Sequence, residues 1–199
     1  MEEIKIYIFD TKKFEFDELV KKFPISEQEL TIFDSILNMR YKKEKYISHI
    51  MKKKFIGEYS LEKNRKPVSN NKFFNLSHSN GIVVLAISNE RNIGIDIEEI
   101  KPFNEDVKAR IVNKKEKSYI QNDLNFYEIW TAKEAILKMD GCGLIYKLNL
   151  IPSLPLNSVK YFKNNSAFVK TFKLINQVVS IALEGEEPFD YTIIDFNEF

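Results

Sequence analysis

Between Asn92 and Glu98 the chain alternates without a break. Ile93, Ile95 and Ile97 take every second position, and Gly94, Asp96 and Glu98 fill those between. Side chains of a strand point alternately to opposite faces, so this segment reads as a strand with one apolar face and one acidic face. Two neighbouring carboxylates repel each other unless water, a cation or a basic group neutralises them. Converging hard oxygen ligands of this kind are what Mg²⁺ or Mn²⁺ accepts. Gly94, with no side chain on the acidic face, leaves room there for a ligand to approach the backbone.

A second segment points the same way. No Gly or Pro interrupts Phe126 to Asp140, and Gly141 supplies a C-terminal stop, which predicts a helix. Ile129, Ala132, Ile136 and Met139 share one face of it. Thr131, Glu134 and Lys138 share the other, with Glu134 and Lys138 four residues apart and therefore adjacent. If that face packs toward the acidic strand, Glu134 completes a three-carboxylate metal site with Lys138 beside it for a phosphate. The same spacings also suit a half-solvated edge strand and a surface ion pair.

The combination Gly94-Ile95-Asp96-Ile97-Glu98, then Trp130-Thr131-Ala132-Lys133-Glu134 and Lys138, resembles the paired signature of 4′-phosphopantetheinyl transferases of the surfactin-synthetase-activating type. Phe74-Asn75-Leu76-Ser77-His78-Ser79 upstream and Gly141-Cys142-Gly143-Leu144 downstream belong to the match, which covers about residues 40 to 160. The resemblance implies an α+β monomer of two similar lobes in pseudo-twofold arrangement, each a small, mainly antiparallel sheet with packed helices. Residues 1–90 would form the N-terminal lobe, which contacts the coenzyme nucleotide. Residues 91–199 would form the C-terminal lobe, which carries the metal site and the catalytic helix. No internal repeat is visible in the sequence itself.

With 199 residues, 44% of them hydrophobic and 13% aromatic, the chain can bury a substantial core. No apolar run approaches the length of a membrane span, and Met1-Glu2-Glu3 is acidic where a signal peptide is basic, so a cytoplasmic protein is expected. Cys142, the single cysteine, excludes an internal disulfide and a cysteine-based zinc site. A net charge of +1 gives no sign of a general nucleic-acid or membrane binder. Seven basic residues nevertheless fall between Arg40 and Lys54 against Glu44 alone, a pattern shared by solvated helix faces and binding sites.

In chain order, residues 3–9 alternate as a first strand, and Ser26 with Glu29 forms a capping box for a helix whose buried stripe is Leu30, Phe33 and Leu37. A second helix is expected from about Lys43 to Tyr59, with Tyr46 and Ile50 inward. Residues 63–71 read as a loop. Strands at 73–76 and 82–87, joined by a turn at Ser77 to Gly81, lead through Ser88 to Asn92 into the acidic strand as a β-meander. Asn104 caps a helix through Arg110, and Lys115 to Asn122 suggests another. Beyond Pro152 and Pro155, strands are expected at 168–175, 178–183 and 191–194.

The chemistry implied by the resemblance moves the 4′-phosphopantetheine arm of coenzyme A to a serine of an apo acyl or peptidyl carrier protein, releasing adenosine 3′,5′-bisphosphate. The carrier would serve fatty-acid, polyketide or nonribosomal-peptide synthesis. By family position Asp96, Glu98 and Glu134 would be the Mg²⁺ ligands, Lys138 a phosphate contact, and Glu116 the base, with Glu134 acting through a metal-bound water as the alternative. Lys66-Pro67 and Ser77-His78 match positions around the 3′-phosphate and ribose, and Arg40, Lys42 and Lys45 could close over the same phosphates. The chain departs from the family pattern at His49, where an arginine is usual, at Arg65, where glycine precedes Lys-Pro, and at Cys142, where a basic residue is frequent. A non-catalytic carrier-binding module of the same fold and a nucleic-acid-binding domain using the Arg40 to Lys54 run are the competing readings.

Overall fold

The computed structural model describes residues 1–61, 67–69, 72–142 and 146–199. The first half supplies β1 (Glu3–Asp10), α1 (Phe16–Lys22), α2 (Glu27–Leu30), α3 (Met39–Phe55), a short ribbon of β2 (Ser60–Leu61) and β3 (Pro67–Val68), and the hairpin β4 (Phe73–Ser79) and β5 (Ile82–Ser88). The second half supplies β6 (Ile93–Glu99), α4 (Glu105–Ile111), α5 (Asp123–Asp140), β7 (Ser158–Phe162), β8 (Asn165–Leu174), β9 (Gln177–Glu184) and β10 (Asp190–Asp195).

The α+β expectation is met by two small sheets of the same design. In the first, ordered β10-β1-β5-β4, a leading strand pairs antiparallel with the second strand of a hairpin, and α3 lies between them in the chain. In the second, ordered β6-β9-β8-β7, β6, α5 and the β8–β9 hairpin repeat that plan. Alternation decides which faces meet. Ile4 and Ile6 of β1, with Val84 and Ala86, pack against Ile93, Ile95, Ile97, Val179 and Ile181 in one core between the sheets. The outer face of the first sheet buries Phe9, Val83 and Leu85 under Tyr46, Ile47 and Met51 of α3. The outer face of the second lies under α5. The result is four layers, helix, sheet, sheet and helix.

Several local expectations change. β6 does not continue a meander, because β5 already has β1 on one side and β4 on the other; β6 pairs with β9 instead. Ser77 and His78 lie within β4 rather than in a turn. The reversal needs only Asn80 and Gly81, at φ 44° and 82°, the two positive-φ positions of a tight hairpin turn. The helix after Ser26 stops after one turn and Leu37 is exposed, although the capping box forms. α3 begins at Met39, earlier than expected, because the Asn38 side chain accepts the Tyr41 N–H and starts it there. No helix forms at Lys115 to Asn122; Asn122 instead caps α5. β10 crosses back from the second half and pairs parallel with β1.

Candidate functional site

α5 is fixed on the second sheet from both sides. Gly141, at φ 74°, ends it, and the Thr131 hydroxyl sits 2.7 Å from Ser180 Oγ, which is 2.8 Å from Thr171 Oγ1. At Gly94 the approach is so close that an added Cβ would lie 2.0 Å from the Ala135 carbonyl oxygen. The space expected there for a ligand is therefore filled by helix backbone. This contact brings Glu134 and Lys138 alongside Asp96 and Glu98.

The edge strands β4 and β6 run side by side with no backbone ladder between them. Alternate side chains of β4 join them. Asn75 Oδ1 accepts the Ile95 N–H at 3.0 Å, Ser77 donates to Asp96 Oδ1 at 2.9 Å, and Ser79 donates to Glu98 Oε2 at 2.9 Å. Asn75 and Ser79 stand in the upstream motif of the sequence with no role attached to them; the period-two run Asn75, Ser77, Ser79 is the signal for the one they have here. Along this seam opens a cleft of about 360 Å³ lined by Lys45, Leu76, Ser77, His78, Asp96, Glu98, Trp130, Glu134 and Lys138.

The electrostatics of the cleft are those of too much negative charge in too little water. Lys138 Nζ donates to Asp96 Oδ1 at 2.6 Å and to Ser77 Oγ at 2.8 Å. Among the described residues Asp96 Oδ2 is buried without any hydrogen-bond partner. Burial first, and the Asp96 charge second, push Glu98 and Glu134 up to about 7, against the pull of Lys138 on both. Among the described residues no three Asp, Glu, His or Cys side chains are already closed into a metal cage. The orphaned Asp96 oxygen and two carboxylates that stay ionised only with difficulty nevertheless fit a hard divalent cation, which would satisfy the first and compensate the others.

The remaining expected site residues divide. Arg40 reaches the hairpin turn, donating to Asn80 Oδ1 at 2.8 Å. Lys42 turns away, its ammonium 4.5 Å over the Phe16 ring and 3.9 Å from Asp34. His49 also points elsewhere, 3.1 Å from Glu29 Oε1 and edge-on to Phe33. Pro67 lines a separate pocket with Asn92 and Ile93, and Lys66, Arg65, Gly143 and Leu144 lie outside the described residues. Glu116 is not brought to the cleft. It is 1% exposed, and its oxygens are taken by Lys133 Nζ at 2.6 Å, Ser153 Oγ at 2.5 Å and the Asn113 N–H at 2.8 Å. That arrangement suits anchoring the loop before α5 more than receiving a proton from a substrate.

Residues 92–184, which contain β6, α5 and the β8–β9 hairpin, match the family model of the 4′-phosphopantetheinyl transferase superfamily. Individual relatives agree. The chain is 38% identical over 147 residues to the 4′-phosphopantetheinyl transferase Sfp of Bacillus subtilis (strain 168), covering 63% of this chain and 61% of that protein. It is 38% identical over 95 residues to the transferase ffp of Bacillus subtilis, covering 44% and 38% of the two chains. With the transferase gsp of Aneurinibacillus migulanus it shares 33% over 102 residues, covering 48% and 39%. The resemblance read from the sequence is thereby borne out. The matched stretches nevertheless span only about 38% to 61% of these relatives' lengths. No helix among the described residues is long and apolar enough to cross a membrane.

Proposed function

We propose that this protein transfers the 4′-phosphopantetheine arm of coenzyme A to a serine hydroxyl of an apo acyl or peptidyl carrier protein, acting as a cytoplasmic monomer of two lobes, residues 1–90 and 91–199. Residues 190–195 reach back to the first sheet. Asp96, Glu98 and Glu134 would hold Mg²⁺ or Mn²⁺, which when bound neutralises the diphosphate oxygens and the charge growing on the leaving phosphate. The observation that carries this reading is the buried, partnerless oxygen of Asp96 in a cleft where two further carboxylates are raised to about 7.

Lys138, in contact with Asp96 and Ser77, is positioned to take a phosphate oxygen. Lys45, which lines the same cleft with His78 beside it, extends that cationic side toward the nucleotide phosphates. The serine oxygen attacks the phosphorus that carries the pantetheine arm, and the bond from that phosphorus to the bridging oxygen breaks, leaving adenosine 3′,5′-bisphosphate. The serine proton needs an acceptor. We assign that role to Glu134 on α5, the cleft carboxylate beside Lys138; burial and the Asp96 charge raise its affinity for a proton in the metal-free site, and a bound cation would lower it again. The test is incubation with Mg²⁺, coenzyme A and a panel of apo carrier proteins, followed by mass spectrometry. A phosphopantetheine increment on the carrier is expected; no increment on any carrier, with the protein folded, overturns the reading.

A further inference from the structure

The Arg40 to Lys54 stretch holds one acid among its bases, and that acid does not behave as part of a solvated face. Glu44 is 4% exposed. Its Oε1 accepts the Gly81 N–H at 2.5 Å, and its Oε2 lies 3.0 Å from His78 Nδ1. Burial alone would favour the neutral acid, but the His78 and Gly81 hydrogen bonds and the nearby Arg40 charge outweigh it and hold the Glu44 carboxyl below its ordinary range. The acceptor at Nδ1 is therefore a carboxylate, and the ring proton at that end must point to it. Nε2 is left as the ring atom available to the cleft that His78 lines.

We propose that Glu44 is a positioning residue: it holds Nδ1–H of His78 so that the ring is oriented with Nε2, and no other ring atom, toward a phosphate oxygen of the bound coenzyme, and it balances the charge of the ring when Nε2 is protonated there. The proposal rests on the coenzyme reading of the cleft. An imidazole held with Nδ1–H on a carboxylate has a bare lone pair at Nε2, which repels an anion. A phosphate oxygen there is bound only when Nε2 also carries a proton, and Glu44 then neutralises the far end of the imidazolium. The ring has little freedom to do otherwise, with Tyr41 edge-on at 5.8 Å and the hairpin turn tied to the same carboxylate. Other charged groups near the ring are Arg40 and Lys45 on α3, and Asp96, Glu98, Glu134 and Lys138 across the cleft. With phosphate bound, the protonated ring then donates at Nε2 without a third lysine beside Lys45 and Lys138.

Glu44→Gln separates this role from a structural one. The glutamine Oε1 can still accept the Gly81 N–H, while its amide N–H donates to Nδ1 and drives the ring proton to Nε2. In the free protein, ¹⁵N spectra should show His78 protonated at Nδ1 in the wild type and at Nε2 in Glu44→Gln. Because a neutral amide cannot balance the imidazolium, only the weaker neutral Nε2–H contact to phosphate remains, and the Michaelis constant for coenzyme A should rise about tenfold, with the loss falling on KM rather than kcat and smaller in Glu44→Asp, which keeps the charge. His78→Ala should raise KM alike, and Glu44→Gln should add nothing on top of it. An unchanged tautomer, or a full further loss in the double variant, overturns the proposal. If the wild type binds no coenzyme A by calorimetry, the coenzyme reading has failed, and the tautomer measurement still decides whether Glu44 sets the ring.

Discussion

Lys138 Nζ lies 2.6 Å from Asp96 Oδ1, joining a helix residue to a strand residue 42 positions earlier across the centre of the cleft. The ammonium neutralises one oxygen of Asp96 and leaves the other buried without a partner. The ion pair thus holds the site half-compensated, with Asp96 also donating repulsion to Glu98 and Glu134.

Asp96→Ala should therefore abolish transfer without unfolding the protein. The substitution removes a ligand and a lysine partner, yet it relieves the second-largest cause of the raised Glu98 and Glu134 values. A loss of at least about 100-fold in rate is expected, with a thermal midpoint within a few degrees of wild type. Full activity in this variant would count decisively against the metal assignment.

The same two glutamates set a pH dependence. Each titrates near 7 when folded and near 4.5 as a free side chain, so the folded protein holds the extra protons between those values. Their contribution to stability is complete below about pH 4.5 and is lost as pH rises through about 7. In the absence of divalent ions this part of the stability should fall from pH 5 to pH 8. Mg²⁺ competes with those protons, so the rise in thermal midpoint on adding Mg²⁺ should be larger at pH 8 than at pH 6. Differential scanning calorimetry at the two pH values, with matched buffers and Mg²⁺, reads this directly. An equal shift at both would detach the glutamates from the ion.

The acidic strand and its helix were legible because alternation and a glycine stop are local signals. What pairs with what was not. The isoleucines of β1 and β6 occupy equivalent places in the two sheets and share one core, yet their other faces differ: Tyr7 and Phe9 join the core beneath α3, and Gly94, Asp96 and Glu98 lie beneath α5. One lobe keeps aromatics where the other keeps the site, so the repeat is topological and leaves little trace in residue identity. The parallel pairing of β10 with β1 spans nearly the whole chain and has no local signature. The burial of Glu44 and Glu116 was not legible either, because a charge in a helix or loop carries no local sign of burial and only packing sets the two against specific donors.

Gly94→Ala tests whether close backbone approach, rather than ligand access, explains that glycine. A Cβ at 2.0 Å from the Ala135 oxygen and 2.4 Å from the Met139 nitrogen meets main-chain atoms that cannot rotate away. α5 would have to lift from β6, carrying Glu134 and Lys138 with it. A destabilisation of about 3 kcal/mol or more by urea denaturation is expected, together with loss of Mg²⁺ binding in whatever fraction still folds. Wild-type stability in this variant would show that the helix has room to spare.

The last prediction separates an anchoring Glu116 from a catalytic one. Lys133 is wholly buried, and its ammonium is shared between Glu116 Oε2 at 2.6 Å and the Ile111 carbonyl at 2.7 Å. Removing one member of such a pair strands the other charge out of water, at a cost of about 3–5 kcal/mol, whereas replacing both with apolar groups of similar size comes close to neutral. Glu116→Leu and Lys133→Met should each destabilise strongly in denaturant titrations, and the double variant should recover much of the loss. If Glu116 anchors the loop, the double variant should also regain turnover per folded molecule to within about tenfold of wild type. If Glu116 instead accepts the serine proton, stability returns and catalysis does not, because no apolar residue can take a proton; that outcome would return the base to Glu116 and require its loop to open toward the cleft when the carrier binds.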